Sequence, residues 1–421
     1  MIKKITLGLL SCYFFIFLFD NLSLAYDRYT VQFLILSVVN VIAFLFLLKT
    51  FSFNDTLNSF KKRKPLLFYS VFIGFSALSI LAADNQIESV IVFSQYLSFF
   101  FALLLIYTLS EQSKINFVSL VFNLSVISIF LESTYILYIF FDNIIINGET
   151  FIRSNIYRGF TANINISAFS LVAKSPVLIY YIYNSERNLN KSLFGILIFM
   201  LVSCLWITLS RGAFIAFTFT TVVIMIYLLV KKINNYFTSS SILIIPTLIS
   251  YLIFSNLIVK GDDNLINERV ASIKIDRQDD SIDERLRFWD AAIESIKENP
   301  IMGVGVGNWK IKSMKYDAKY ATGYRVPFHA HNDFLQVASE SGVFASIFFA
   351  LFLTYPFYLF IKHKIFNTKD LKFLIVLSMM MVYLIDTFLN FPIARPVSHI
   401  LLIFVSITLI LLGKKYEKKD N

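Results

Sequence analysis

Apolar stretches about as long as a membrane crossing alternate along this chain with short polar breaks. A helix needs about 20 apolar residues to cross a bilayer core. The pattern predicts twelve such helices, at 5–24, 29–48, 66–83, 87–109, 115–141, 162–183, 192–209, 212–230, 240–259, 333–361, 371–390 and 396–413. One polar interval, residues 260–332, is far longer than the rest. Within it Ser281–Pro300 predicts an amphipathic helix. Ser281 and Glu284 have capping-box spacing, Leu286, Trp289, Ile293 and Ile296 form an apolar stripe, and Asn299-Pro300 ends the run. The expected fold class is an all-α integral membrane protein: transmembrane helices 1–9 over residues 1–259, a large loop over 260–332, transmembrane helices 10–12 over 333–413, and a charged tail over 414–421.

Composition agrees. Hydrophobic residues make up 57% of the chain and charged residues only 16%, with a mean hydropathy of +0.67. Charge placement orients the helices. With the N-terminus inside, the inner segments carry twenty Lys and Arg, and the short outer loops carry five: Arg28, Arg153, Arg158, Arg211 and Arg395. This bias places both termini in the cytoplasm and residues 260–332 in the periplasm of a bacterial inner membrane. The net charge of +10 therefore belongs mainly to inner loops, and a nucleic-acid partner is excluded. The N-terminal apolar run lacks a small-residue cleavage site and reads as a retained first helix. Cys12 and Cys204 both fall in predicted spans, so no disulfide is expected.

The candidate chemistry gathers at the outer side. All five outer-loop cations are Arg, whose planar fork of donors suits phosphate. Arg211, in Leu209-Ser-Arg-Gly-Ala213, is either an interfacial anchor or a grip on an anionic headgroup. Arg158 offers a second phosphate contact. Asn163 and Asn165, which follow it, either bind sugar hydroxyls or cap a helix. Arg285 and Trp289 share one helical face. Gly303-Val-Gly-Val-Gly-Asn308 reads as a flexible turn that could bring N–H groups close to a phosphate. His329 and His331 stand where the polar interval meets a predicted span, beside Asn332 and Asp333. A metal site there would lack further ligands; a plain loop histidine and proton transfer or charge stabilisation at His331 both stay open. Inside the spans, Glu132, Lys174 and Asp386 are buried charges; Lys174 is expected to pair with a carboxylate, and a proton pathway is the alternative.

In their order along the chain, these motifs resemble the O-antigen ligase and O-antigen polymerase superfamily. The pieces are Arg158-Gly with Asn165, Ser210-Arg-Gly212, Arg285 four residues before Trp289, Asn299-Pro-Ile-Met-Gly303 with Gly305 and Asn308, and His331-Asn332 followed by Gly342. The ligase pattern usually closes with Gly, Thr or Tyr where this chain has Ala345. The resemblance implies a GT-C-like glycosyltransferase that works without metal or other cofactor. Its donor would be a glycan on undecaprenyl diphosphate, its acceptor lipid A-core or another glycan, and its surroundings membrane lipid. It implies His331 as the catalytic residue and Arg211, Arg285 and Arg158 as diphosphate ligands, with Asn332, Gly342, Asn165 and Trp289 in support. The His331 spacing favours a ligase, and a polymerase is the alternative. A flippase is a weaker reading, because the halves show no repeat.

Overall fold

The computed structural model describes residues 1–19, 28–50, 63–151, 154–161, 163–232, 236–259, 280–317, 327–368 and 370–417. Arg153 and the stretches 260–279 and 318–326 of the predicted outer loop lie outside them. The described residues form fifteen α-helices: α1 Ile2–Phe14, α2 Arg28–Thr50, α3 Lys64–Ser79, α4 Gln86–Gln112, α5 Phe117–Phe141, α6 Ile164–Asn184, α7 Asn188–Thr208, α8 Arg211–Val230, α9 Tyr236–Val259, α10 Asp280–Glu298, α11 Trp309–Asp317, α12 Asp333–Ser341, α13 Val343–Lys362, α14 Leu371–Leu389 and α15 Pro396–Glu417. Among the described residues ten helices are long and apolar enough to cross a membrane. The all-helical, polytopic class is as the hydropathy pattern predicts.

Three expectations need correction. The first predicted span, 5–24, is not one α-helix, because α1 ends at Phe14 and a 3-10 turn takes over at Ile16–Phe19. Tyr13 donates to Asn40 Oδ1 on α2 at 2.8 Å, and Phe14 packs edge-on against Phe404 of α15. The second correction concerns the predicted span 333–361, which is two helices, α12 and α13, broken at Gly342. Gly342 has φ +86° and ψ 163°, a backbone that essentially only glycine adopts. A Cβ there would stand 1.9 Å from the Ile301 carbonyl oxygen. The third is the face of α10. Its buried residues are Phe288, Ala291, Ala292 and Ser295, whereas Ile293 of the predicted stripe is exposed and Trp289 only half-buried. The helix carries apolar side chains on two faces. The packed one is where small Ala292 lets the helix approach Trp309.

The chain folds as two compact units. One comprises residues 1–115, 275–359 and 386–421, the other 116–274 and 360–385. In the first, α4 packs against α2, α3 and α15, and α10 packs against α11 and α12. Aromatic pairs join α3 to α13, including Phe72 with Phe349 and Tyr69 with Phe352. In the second, α7 packs against α5, α6 and α9, and α6 also against α8. Lys174 of α6 pairs with a carboxylate, as the sequence suggested, and the partner is Glu132 of α5.

Candidate functional site

The glycine-rich turn 299–308 builds the floor of the first unit's site. Its N–H groups are already committed within the protein. Gly303 N donates to Asn299 O at 3.0 Å, Val304 N to Ser339 O at 2.9 Å, Gly305 N to Glu340 O at 2.9 Å, and Val306 N to Ser79 Oγ at 3.1 Å. The turn is therefore a packing latch, and the phosphate cradle read from its glycines does not hold. Gly303 is required because a Cβ would come 2.4 Å from the Glu340 backbone. Asn308 is fully buried and ties the turn to the head of α4. Its Nδ2 donates to Ser89 Oγ at 2.7 Å, and its Oδ1 accepts from Asn85 N at 2.8 Å.

Above the latch lies a small apolar cluster of Phe288, Ala292, Trp309 and Ala330, with Leu335 against it. The Pro327–Asn332 strap crosses this cluster and leads into α12. Asn332 caps α12, its Oδ1 accepting from Leu335 N at 3.1 Å. Gln336 fixes the strap from inside: its Oε1 accepts from Ala330 N at 3.1 Å and its Nε2 meets His329 Nδ1 at 3.3 Å. The same amide reaches Glu340 Oε1 at 3.4 Å, which also accepts from Trp309 N at 3.3 Å. Burial pushes the Glu340 carboxyl up to about 7, against the opposing pull of the Gly307 and Trp309 N–H groups.

His331 occupies the left-handed region, with φ +55°. That conformation costs an ordinary residue about 1–2 kcal/mol. Its ring lies nearly parallel to Phe288, centroids 6.3 Å apart, and meets Phe391 edge-on at 5.0 Å. Its Nδ1 is buried and lacks a hydrogen-bond partner. Burial first, then Arg285 and Arg395, bring the imidazole down to about 4, so it is neutral at pH 7. His329 stacks face to face on Phe391 at 3.9 Å. Burial, then Arg395 and His331, hold it well below the usual imidazole range.

The loop between α14 and α15 completes this constellation; the sequence offered Arg395 only as one of five outer-loop arginines suited to phosphate, and Phe391 and the link to Asp333 were missed. Ile393 N donates to Asp333 Oδ2 at 2.9 Å, which clamps the loop to α12. Asp333 is fully buried, its Oδ1 has no partner, and burial raises its carboxyl well above the usual range. Arg395, 5% exposed, sets its guanidinium 3.8 Å from the Phe391 ring centroid and donates to the Tyr29 hydroxyl. The available signal was an Arg between two prolines, Pro392 and Pro396, in a short turn joining two apolar runs.

Of the residues singled out in the sequence, His331, Asn332, Gly342, Arg285 and Trp289 share the first unit. Arg285 bears on His331 electrostatically, and Trp289 has a buried Nε1 without a partner. Arg158, Asn165 and Arg211 belong to the second unit. Arg211 opens α8 after Ser210, just beyond Leu209 in the left-handed region. A helix N-terminus favours anions through its unpaired N–H groups. Arg158 ends a 3-10 turn, and its carbonyl accepts from Thr161 and Ser167. Asn163 caps α6 by accepting from Asn165 N at 2.8 Å, so of the two roles left open for Asn163 the structure shows the cap.

Comparison with known proteins adds two findings. A family model described as O-antigen ligase matches residues 196–350, a span that contains Arg211, Arg285, Trp289, His331, Asn332 and Gly342. The exopolysaccharide production protein ExoQ of Rhizobium meliloti (strain 1021) is 23% identical over 123 residues, which is 28% of this chain and 28% of that protein. Both support the O-antigen ligase and polymerase superfamily that the motifs resemble.

Proposed function

We propose that this chain, a polytopic membrane protein with the support of that superfamily behind it, is a glycosyltransferase. In this reading it moves a glycan from undecaprenyl diphosphate to lipid A-core at the periplasmic face of the inner membrane. The observation that carries the reading is His331: a neutral imidazole with an unpartnered buried nitrogen, strained backbone and Arg285 nearby, inside the segment matched as O-antigen ligase. Strain of this kind persists where it serves a site.

The chemistry follows from the charges. The acceptor hydroxyl oxygen attacks the anomeric carbon of the donor sugar, and the bond from that carbon to the diphosphate oxygen breaks. The electron pair leaves on the diphosphate, and the hydroxyl proton passes to His331. Negative charge grows on the leaving group, which is where fixed guanidinium groups stabilise most. Arg285, which shares a unit with His331, takes that role, Trp289 flanks the sugar, and Asn332 and Gly342 hold His331 in place. An approaching diphosphate also offsets the Arg285 charge that weakens the imidazole as a base, so its basicity rises when the donor binds.

Polymerisation is the second reading. Ala345 stands where the ligase pattern has Gly, Thr or Tyr, and the relative found is named for exopolysaccharide production. The two reactions share a donor and differ in acceptor. A strain lacking the gene, examined by lipopolysaccharide gel, separates them. A ligase defect gives bare core and long glycans stranded on undecaprenyl diphosphate. Core bearing a single repeat would overturn the ligase reading in favour of the polymerase.

A further inference from the structure

A general base beside a lipid diphosphate faces an electrostatic problem. The donor's negative charge favours the protonated imidazole, and a protonated imidazole cannot accept a proton. Arg285 cannot be the whole answer, because it is one of the groups the diphosphate would neutralise. A second cation that is protected from the donor would solve it.

The α14–α15 loop holds such a cation. Arg395 is buried, and no ion pair joins it to a carboxylate among the described residues. Its guanidinium carbon sits 3.8 Å over the Phe391 ring centroid and the group reaches the Tyr29 hydroxyl. Burying a charge is costly; the Asp386 and Asp333 carboxyls that act on it are themselves buried, and the cation–π contact returns only about 2 kcal/mol. Phe391 turns one ring edge contact to His331 and a face to His329, and Asp333 clamps the loop beside them. The charged and titratable groups around the imidazole and the guanidinium are thus Arg285 from α10, Arg395 from the loop, Asp386 from α14, Tyr29 from α2, and His329 and Asp333 of the His331 segment.

We infer that Arg395 is a positioning residue for His331: a sequestered cation, held against Phe391, that keeps the imidazole uncharged beside an anionic donor. The inference rests on the proposed role of His331 as base, and its test is independent of that role. Purified full-length protein with 15N-labelled histidine, in detergent micelles, is titrated by NMR, and the His331 signal is assigned by its loss in His331→Asn. Arg395→Gln should raise the His331 midpoint by on the order of one pH unit. Arg395→Lys, which keeps the charge, should stay near wild type, as should Tyr29→Phe, which removes only the hydroxyl contact. If Arg395→Gln does not fold, Arg395→Met decides, since it removes the charge, leaves Phe391 in place and should move the midpoint upward too. An unmoved midpoint in the folded variant overturns the inference. Full transfer activity in His331→Ala would instead sink the base assignment and leave the titration result standing.

Discussion

Two clusters of buried charge, one in each unit, are built on opposite terms. Around Lys174 and Glu132 every named polar atom has a partner. Lys174 Nζ pairs with Glu132 and contacts Ser128 Oγ at 2.8 Å and Ser170 Oγ at 2.9 Å, and both hydroxyls also donate to the Glu132 carboxylate. Around His331 the polar atoms are left over: His331 Nδ1, Asp333 Oδ1 and Arg395 Nε are buried without partners. Each such atom costs about 1–3 kcal/mol. Burial is common to both clusters, so burial does not mark function. The proposed function turns on closure instead: the closed cluster holds helices together, and in that reading the open one keeps bonding capacity for a ligand.

The largest expected effect breaks the open cluster. His331→Ala should lower glycan transfer by roughly 10²–10⁴-fold, the usual contribution of a positioned acid–base group. Its melting temperature in detergent should stay near wild type, because the truncation removes a buried nitrogen that has no partner. His329→Ala should cost less activity, since its ring is committed to Phe391 and Gln336. Transfer by proteoliposomes given a lipid-linked donor measures both, and equal tolerance of the two would end the distinction. The closed cluster should respond in reverse. Lys174→Met strands a buried carboxylate and should cost about 3–5 kcal/mol, read as loss of folded protein. Glu132→Leu with Lys174→Met should recover most of it. A well-folded, inactive Lys174→Met would show that closure does not separate structure from function.

The two clusters also differ in how legible they were. A carboxylate partner for Lys174 could be foreseen, because a charge in an apolar run must find a partner inside the protein. The polytopic helical class was likewise visible, because hydropathy encodes it, and His331, Arg285 and Trp289 were singled out through the motifs that resemble the superfamily. Phe391 and Gln336 were not, and Arg395 was seen only as an outer-loop cation suited to phosphate. Their roles come from contacts across the chain, such as Asp333 with Ile393, that no local period records. Gly342 was noticed as a motif position, yet its break in the predicted 333–361 helix was hidden. The apolar run continues across it, and only the φ of +86° against Ile301 makes the interruption necessary. The α10 face was misread for a related reason: Phe288 and two alanines look weaker than Leu, Trp and Ile until Trp309 is placed against them.

Acidity offers a subtler contrast within the open cluster itself. Glu340 sits at about 7 against an ordinary 4.5, so between those values the folded state holds more proton than the unfolded. Its contribution to stability therefore falls as pH rises through that window, by up to about 3 kcal/mol. His331 sits at about 4 against 6.5, so its folded state holds less proton across 4–6.5. Its contribution rises with pH through that window, by up to about 3 kcal/mol and less in practice because the ring is only half-buried. Relative to wild type, melting profiles from pH 4 to 8 should tilt upward with pH in Glu340→Gln and downward in His331→Asn. Tilts of the same sign would mean that the two groups do not titrate as their surroundings dictate.

The smallest expected effect concerns Asn332, which follows His331 in the resemblance and invites a role in binding sugar. Its side-chain oxygen is already spent on Leu335 N at 3.1 Å, at the first turn of α12. A cap of this kind is worth about 0.5–2 kcal/mol, and serine supplies nearly the same bond. Asn332→Ser should therefore match wild type in both melting temperature and transfer. Asn332→Ala should melt lower by an amount within that range, while each folded molecule keeps its activity to within about tenfold. The cap also orients the strap that carries His331, so a modest loss of rate is expected through a less exact imidazole position. The decisive comparison is with Asn332→Asp, whose carboxylate caps as well as the amide but brings a negative charge beside the proposed diphosphate. If Asn332 only caps, Asp should restore the melting temperature and raise the KM for donor by repulsion. If Asn332 instead binds the sugar, Ser and Ala should lose activity alike while their stabilities differ, and the open cluster would then extend one residue further than its unpaired atoms indicate.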